Sequence, residues 1–228
     1  MTTVILQDMA AGGWLRFGQP LDVSAAYRLD EVRPALQRVL EGLERGLHAA
    51  GFLSYEAAPA FDPALSAHPP AADFPLAWFG LFRAPERTSL PPAPPTGGAY
   101  ALGEWRPTVG EAEYRAVIAR IKDHIARGET YQVNYTYRLR ADFAGDAWAL
   151  SPDLAAAQRA AYCAYVDLGR WAVCSASPEL FFRRERHERG HAAQRPGPCG
   201  PAGQRGSAGV VHRGALSHRL ANDVHGHG

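Results

Sequence analysis

Two apolar runs in the second half of the chain are separated by only two residues, and this spacing constrains the fold more than any other feature. Residues 161–168 and 171–182 are rich in apolar and aromatic side chains, as strands are, and Gly169-Arg170 lies between them. Two residues can connect antiparallel strands, whereas parallel strands need a crossover of a dozen residues or more. The spacing therefore predicts an antiparallel hairpin, and with it an α+β fold of mixed helices and a largely antiparallel sheet.

A helix and then a strand are predicted in residues 108–139. Thr108-Val-Gly-Glu111 matches a capping box, in which the hydroxyl and the carboxylate satisfy helix N–H groups. An apolar stripe follows, and Gly128 ends the helix. Residues 131–139 then alternate strictly, which is typical of a strand with two different faces. One face carries Val133, Tyr135, Tyr137 and Leu139, and the other carries Gln132, Asn134, Thr136 and Arg138.

The N-terminal part reads as a mixture of helix and strand. Residues 30–50 have the apolar spacing of an amphipathic helix that stops at Gly51. Residues 51–56 and 75–82 are predicted as short buried strands, with a proline-rich loop between them.

A second proline-rich stretch, residues 84–98, is interpreted as a semi-rigid connector without a recognition role. The alanine-rich residues 146–160 are expected to be helical, with Ser151-Pro152 either interrupting the helix or starting a second one.

Composition excludes several classes of protein. The 228 residues carry a net charge of +1, which gives no argument for nucleic acid or membrane as a partner. Cys163, Cys174 and Cys199 lack the spacing of a disulfide framework or a zinc site and fit a reducing compartment. Because no signal peptide and no apolar run of about 18 residues is visible, the chain is expected to be cytoplasmic.

The last 46 residues differ from everything before them. No aromatic residue occurs from Arg183 to Gly228, and arginine, glycine and histidine dominate. Such a segment buries too little apolar surface to offset chain entropy, so a disordered tail is predicted from residue 185. His225-Gly-His227 has no acidic or cysteine partner at ligand spacing, so no metal site is predicted. The remaining chain is divided into residues 1–98, with the proline-rich linker, and residues 99–184.

Two groups of side chains are candidates for chemistry. Glu179 follows Pro178 at the end of a strand and precedes two aromatics, and a carboxylate against aromatic surface suits a general acid or base. The polar face Gln132, Asn134, Thr136 and Arg138 suits an anionic ligand, with Arg138 pairing a carboxylate. On pattern alone, an exposed strand-end glutamate and a solvated strand face are the favoured alternatives.

Taken together, two motifs change this balance. Gly128-Glu-Thr-Tyr-Gln-Val-Asn-Tyr-Thr136 resembles the G-(D/E)-x-Y-Q-V-N-x-T strand of the chorismate-utilising enzymes. Ser175-Ala-Ser-Pro-Glu-Leu-Phe181 resembles their S-x-S-P-E-x-(F/L) strand, in the same order and at similar spacing. Residues 51–62 are similar to the N-terminal segment of the aminodeoxychorismate synthase branch. The resemblance covers about residues 1–184, well under half of a usual family member.

The resemblance implies that ammonia derived from glutamine is transferred onto chorismate, giving 4-amino-4-deoxychorismate for folate synthesis. It implies Mg²⁺ as the cofactor that holds the ring carboxylate, and a glutamine amidotransferase (component II) as the partner that supplies ammonia. The family's S-P-E glutamate falls on Glu179, as general acid or base. The anthranilate-forming branch and a non-catalytic module that binds the amidotransferase stay open as alternatives.

The chain departs from the family pattern after residue 184. The branch's nucleophilic lysine lies in a P-(I/M)-K-G-T motif, but residues 194–200 read Gln-Arg-Pro-Gly-Pro-Cys-Gly and Lys122 is the only lysine. The family's Mg²⁺-binding glutamates have no counterpart. The sequence is therefore expected to represent an incomplete and inactive chorismate-utilising fold, with a frameshift near residues 183–186 favoured over a natural regulatory tail.

Overall fold

The computed structural model describes residues 2–8, 12–71, 73–89, 98–180, 207–212 and 215–225. Three α-helices are formed in these ranges: α1 Leu29–Glu44, α2 Glu111–Ala126 and α3 Ala147–Gln158. A 3₁₀ helix spans Tyr55–Ala60. The strands are β1 Thr3–Asp8, β2 Gly13–Phe17, β3 Asp22–Ala26, β4 His48–Leu53, β5 Ala77–Phe82, β6 Glu86–Thr88, β7 Tyr100–Leu102, β8 Arg106–Pro107, β9 Gln132–Gly145, β10 Tyr162–Asp167, β11 Trp171–Ser177, β12 Ser207–His212 and β13 Ala215–His225.

The strands form one large and one small antiparallel sheet. The large sheet has the order β6-β2-β1-β10-β11-β12-β13-β9-β7, with β8 also paired to β9. The small sheet has the order β3-β5-β4. The predicted hairpin is confirmed, since β10 pairs with β11 around Gly169-Arg170. The α+β class with a largely antiparallel sheet is likewise confirmed.

Three clusters of buried side chains hold the layers together. One lies under α3, where Trp148 packs edge-on against Tyr165 with ring centroids 5.0 Å apart. The second joins the large sheet to the small one and includes Val4, Trp78 and Val166. The third lies beneath α1, around Val32. Burying such side chains contributes about 1.5–3 kcal/mol each, so these contacts between layers dominate the stability of the fold.

Helix α1 ends earlier than its apolar spacing predicts. Gly46 adopts a φ of +81° just after the helix, a conformation that glycine reaches without steric cost. Gly51 instead lies inside β4, where a Cβ would come within 1.9 Å of the Trp78 carbonyl oxygen. The prediction that Gly51 ends the helix is therefore wrong: this glycine allows the close approach of β4 and β5.

The capping box at Thr108 does not form. Helix α2 begins at Glu111 with Gly110 as its N-cap and without a side-chain cap. The Thr108 hydroxyl accepts a hydrogen bond from the Arg138 N–H instead, at 3.2 Å, and the Thr108 N–H donates to the Arg138 carbonyl. Because β8 pairs with β9, Thr108, in the bend directly after β8, bonds to the sheet rather than to the helix. The other end of α2 is as predicted, with Gly128 at a φ of +72°.

Helix α3 is continuous through Ser151-Pro152. Asp146 is its N-cap and accepts a hydrogen bond from the Trp148 N–H at 2.9 Å. Pro152 lies in the middle of the helix, and Ser151 is buried. Of the two alternatives for this segment, neither an interruption nor a second helix is observed.

Two segments of the region predicted to be disordered form strands. β12 pairs with β11 and β13 pairs with β9, so the backbone ladder continues from one family motif to the other. Strand pairing uses backbone N–H and C=O groups, which a segment poor in apolar side chains also has. The remaining residues of the predicted tail, including His227 and Cys199, lie outside the described ranges.

Candidate functional site

The β9 strand presents the two faces that its alternation predicts. Tyr135 and Tyr137 pack against Tyr114 of α2, with ring centroids 5.9 and 5.8 Å apart. One face of the strand is therefore covered by the helix that precedes it in sequence. The polar face is turned away from α2, towards the side on which the small sheet lies.

The four predicted ligand residues divide into two exposed and two half-buried side chains. Asn134 and Thr136 are exposed, whereas Gln132 and Arg138 are half-buried. The Gln132 amide donates to Asn134 Oδ1 at 3.4 Å. The Arg138 Nη2 lies 3.2 Å from Oε1 of Glu56, a carboxylate in the 3₁₀ helix after β4. Arg138 thus pairs with a carboxylate of the protein itself.

Glu56 is a site residue that the sequence analysis did not identify. Its side chain is 14% exposed against 40% for Arg138, so the carboxylate is the more buried partner of the pair. The two residues are 82 positions apart in sequence. The one sequence signal for it is that Glu56 belongs to the N-terminal segment 51–62.

A second carboxylate, Glu129, fixes the beginning of the β9 motif. Glu129 Oε2 lies 2.5 Å from His124 Nδ1, and Arg127 Nε donates to Glu129 Oε1 at 2.7 Å. His124 and Arg127 lower the pKa of Glu129, the hydrogen bond from His124 being the larger cause. The acidic residue of the Gly128-Glu129 motif therefore ties the last turn of α2 to the strand that follows.

Glu179 lies just beyond β11 in a local turn. The Ser177 hydroxyl accepts from the Glu179 N–H at 3.2 Å and donates to the Glu179 carbonyl at 2.9 Å. The turn fixes the backbone of Glu179 while its side chain is exposed. The two aromatics after Leu180, against which the carboxylate was expected to lie, fall outside the described residues.

The pairing register relates the two motifs. Ala176 of β11 lies opposite Ser207, which lies opposite Leu220, which lies opposite Tyr137 of β9. Three antiparallel steps make β11 antiparallel to β9, so Glu179 and Asn134 both lie three residues from this row, at the same end of the sheet. Three strand spacings separate β9 from β11, about 14 Å. The structure brings the two motifs to one end of the sheet without placing them in direct contact.

The described residues do not fit a metal ion. Among them, no three histidine, cysteine, aspartate or glutamate side chains come close enough together to hold one. The described residues thus do not match the oxygen-rich set that Mg²⁺ requires.

The buried ionisable groups lie in β10 and β11, in the core next to the second motif. Burial raises the pKa of the Tyr165 hydroxyl, and it raises that of the Cys174 thiol to about 12. Cys163 and Cys174 are both buried thiols without a disulfide. These groups belong to the core and take no part in the candidate site.

Known proteins are similar in sequence to part of this chain. Aminodeoxychorismate synthase component 1 of Salmonella typhimurium is 32% identical over 125 residues, which cover 55% of this chain and 25% of that protein. Anthranilate synthase component 1 of Neisseria meningitidis serogroup B is 33% identical over 79 residues, covering 35% of this chain and 16% of that protein. The matched stretches therefore span a quarter or less of these relatives.

The crystal structure of anthranilate synthase component I from Streptococcus pneumoniae TIGR4 has the same fold. The match has a TM-score of 0.57 at 15% identity and covers 78% of this chain and 51% of that one. At this identity the likeness shows the fold alone.

No helix in the described ranges is long and apolar enough to cross a membrane.

The family model for chorismate binding enzymes matches residues 9–194, most of the chain. The match includes both motif strands, and it extends across residue 98, where the sequence was divided into two parts. The large sheet also contains strands from both parts, since β1 pairs with β10. The chain belongs to the chorismate-binding enzyme family.

Proposed function

We propose that this chain is the N-terminal part of an aminodeoxychorismate synthase component I, whose reaction replaces the 4-hydroxyl of chorismate with an amino group. The observation that carries the proposal is the convergence of Glu179 and the polar face of β9 at one end of one sheet. The match to the Salmonella protein is longer than that to the Neisseria protein, 125 residues against 79, which favours the aminodeoxychorismate product.

Glu179 is assigned the role of general acid or base. In the overall conversion a C–N bond forms at carbon 4, the C–O bond breaks, and the hydroxyl leaves as water after accepting a proton. An exposed carboxylate whose backbone is held by Ser177 can approach a ligand from the strand end without rearranging the sheet. Proton transfer by such a group typically contributes 10²–10⁴-fold to the rate.

Gln132, Asn134 and Thr136 are assigned to binding the polar groups of chorismate. The side chains of Asn134 and Thr136 are exposed, so they can exchange water for ligand oxygens. Arg138 is assigned to positioning β9, because its ion pair with the largely buried Glu56 carboxylate ties the strand to the 3₁₀ helix. Mg²⁺, when bound to a complete family member, supplies positive charge for the ring carboxylate.

The 228 residues alone are proposed to lack the amination activity. Lys122 is the only lysine, and it is exposed on α2, a helix that packs on the opposite face of β9 from the polar residues. It cannot replace the nucleophile of the P-(I/M)-K-G-T motif. The proposed partner is a glutamine amidotransferase, which delivers ammonia to the complete enzyme.

Two other functions have support from particular observations. The Neisseria relative is named an anthranilate synthase component 1, which supports anthranilate as the alternative product. A chain whose only lysine is Lys122 is compatible with a non-catalytic role, and a module that binds an amidotransferase is the remaining alternative. A version of the chain with the lysine motif restored distinguishes these functions. If it captures an amidotransferase but does not convert chorismate, the non-catalytic module is favoured.

The test starts with the chain as it stands. The 228-residue protein is incubated with chorismate, Mg²⁺ and ammonium, and the products are separated by chromatography. We expect no aminated product. Conversion of chorismate to 4-amino-4-deoxychorismate by this chain would contradict the assignment of inactivity, and resequencing codons 183–190 tests whether the lysine motif lies in another frame.

A further inference from the structure

A cleft outside the chorismate motifs opens where the β10–β11 turn meets the small sheet. It has a volume of about 370 Å³ and is lined by Tyr27, Asp73, Pro75, Trp78, Leu168, Arg170 and Trp171. This volume is within the range of sites for small molecules, about 300–1,000 Å³. Three of its lining residues are aromatic and two are charged, a composition typical of a ligand site rather than a packing gap.

The aromatic wall is held in place by its neighbours. Trp171 packs edge-on against Phe74 with centroids 5.4 Å apart, and Phe74 stacks on Phe52 at the same distance. The indole Nε1 of Trp171 donates to the Asp73 carbonyl at 3.0 Å. These contacts fix the ring of Trp171 before any ligand arrives, so little side-chain entropy is lost on binding.

A charged pair lies beside this wall. Arg170 Nη1 is 2.8 Å from Asp73 Oδ2, and both side chains are more than half exposed. The guanidinium carbon lies 6.0 Å from the centre of the Trp171 ring. Asp73 adopts a φ of +62°, which aspartate tolerates better than most residues. In this conformation its carbonyl meets the indole and its carboxylate meets Arg170.

The charge arrangement selects the sign of the ligand. A guanidinium presents five N–H donors in one plane, which lets it hold a second carboxylate beside Asp73. A cationic ligand would have to reach the Asp73 carboxylate past the guanidinium that already binds it. The arrangement therefore favours an anion.

We propose that this cleft binds a small planar aromatic anion, with its ring against Trp171 and Tyr27 and its carboxylate on Arg170. The inference goes beyond the chorismate assignment and shares no residue with it. Binding requires no chemistry, and the two proposals fail independently.

Benzoate is the probe, and binding is followed on the whole chain by ligand-observed NMR and by tryptophan fluorescence. We expect saturable binding. Cyclohexanecarboxylate keeps the charge without the aromatic ring, and benzamide keeps the ring without the charge, so each should bind at least about tenfold more weakly. Absence of saturable benzoate binding, or equal binding of all three, would overturn the proposal.

Variants then locate the site. Arg170→Gln should weaken benzoate binding at least about tenfold, and Tyr27→Ala, at a half-exposed side chain, should weaken it severalfold. Arg120→Gln, at an exposed arginine of α2, is the matched control and should bind as the wild type does. Arg138→Gln on β9 reports whether benzoate binds at the chorismate motifs instead. If Arg138→Gln loses benzoate and Arg170→Gln keeps it, the anion binds at the chorismate motifs and the proposed cleft site is wrong. Circular dichroism confirms that each variant is folded.

Discussion

Arg138 of β9 and Glu56 of the 3₁₀ helix form an ion pair, with 3.2 Å between Nη2 and Oε1. It joins a strand of the family motif to the segment between β4 and β5 of the small sheet. Because an exposed or half-exposed pair gains little, its coupling is expected to be about 0.5–1 kcal/mol. A double-mutant cycle with Arg138→Gln and Glu56→Gln, measured by urea unfolding, tests this; a coupling of zero would show that the two side chains do not interact in solution.

The core between the small sheet and α1 depends on Leu81. Its side chain is 1% exposed, whereas Leu21, which hydrogen-bonds through its backbone to the same residue, is 54% exposed. Leu81→Ala should lower the free energy of unfolding by about 2–5 kcal/mol, since it removes buried methyl groups and leaves a cavity. Leu21→Ala is the matched control and should change stability by less than about 0.5 kcal/mol. Equal effects would mean that this core is not packed as described.

Gly51 is expected to be intolerant of a side chain. An added Cβ would meet the Trp78 carbonyl oxygen at 1.9 Å, and a backbone atom of a central strand cannot move aside. Gly51→Ala should therefore destabilise the protein by more than about 2 kcal/mol, comparable to the overpacking of a core. Gly18→Ala has open space around the new Cβ and should be near neutral. Thermal melts of the two variants test this: the melting temperature should fall clearly for Gly51→Ala and stay near that of the wild type for Gly18→Ala. Equal melting temperatures would contradict the close approach of β4 and β5.

The Glu129 carboxylate should make the link between α2 and β9 dependent on pH. Hydrogen bonds from His124 and Arg127 lower its pKa in the folded state, so the contribution of this carboxylate is present above the unfolded pKa, about 4.3. It is lost as pH falls through the folded pKa. The difference in melting temperature between wild type and Glu129→Gln should accordingly be largest near neutral pH and vanish in acid. A difference that persists unchanged at pH 2.5 would contradict this role.

The two buried cysteines should resist modification. Burial raises the pKa of both thiols, that of Cys174 to about 12, and the thiolate is the reactive form. In a Cys199→Ser version, a thiol reagent at pH 8 should label neither cysteine on the timescale of minutes, and both after denaturation. Labelling of the native protein at the rate of a free thiol would show that the β10–β11 core is open.

Local sequence patterns predicted most helices and strands, but they did not predict which distant segments these elements contact. The alternation of β9 was correct because Tyr135 and Tyr137 pack on the neighbouring α2, a contact between adjacent segments. The hairpin was predicted correctly because a two-residue turn can connect two strands only if they are antiparallel neighbours. Gly51 was misassigned because a helix stop and a close strand crossing use the same residue, and only the position of β5 distinguishes them.

The candidate site was predictable to a similar degree. Motif residues Glu179 and Asn134 were found from their own segments, but the register that brings them to one end of the sheet runs through β12 and β13, which composition had assigned to a disordered tail. Glu56 was missed since its partner lies 82 residues away. Thr108 was misassigned because its hydroxyl bonds to β9 rather than to its own helix.

The most direct measurement identifies, by mass spectrometry, the product formed from chorismate, ammonium and Mg²⁺. The protein tested is an in-frame version in which the P-(I/M)-K-G-T motif is restored. The proposed function predicts 4-amino-4-deoxychorismate, and Glu179→Gln should lower its rate of formation by about 10²–10⁴-fold. Formation of anthranilate, or an unchanged rate in Glu179→Gln, would contradict it.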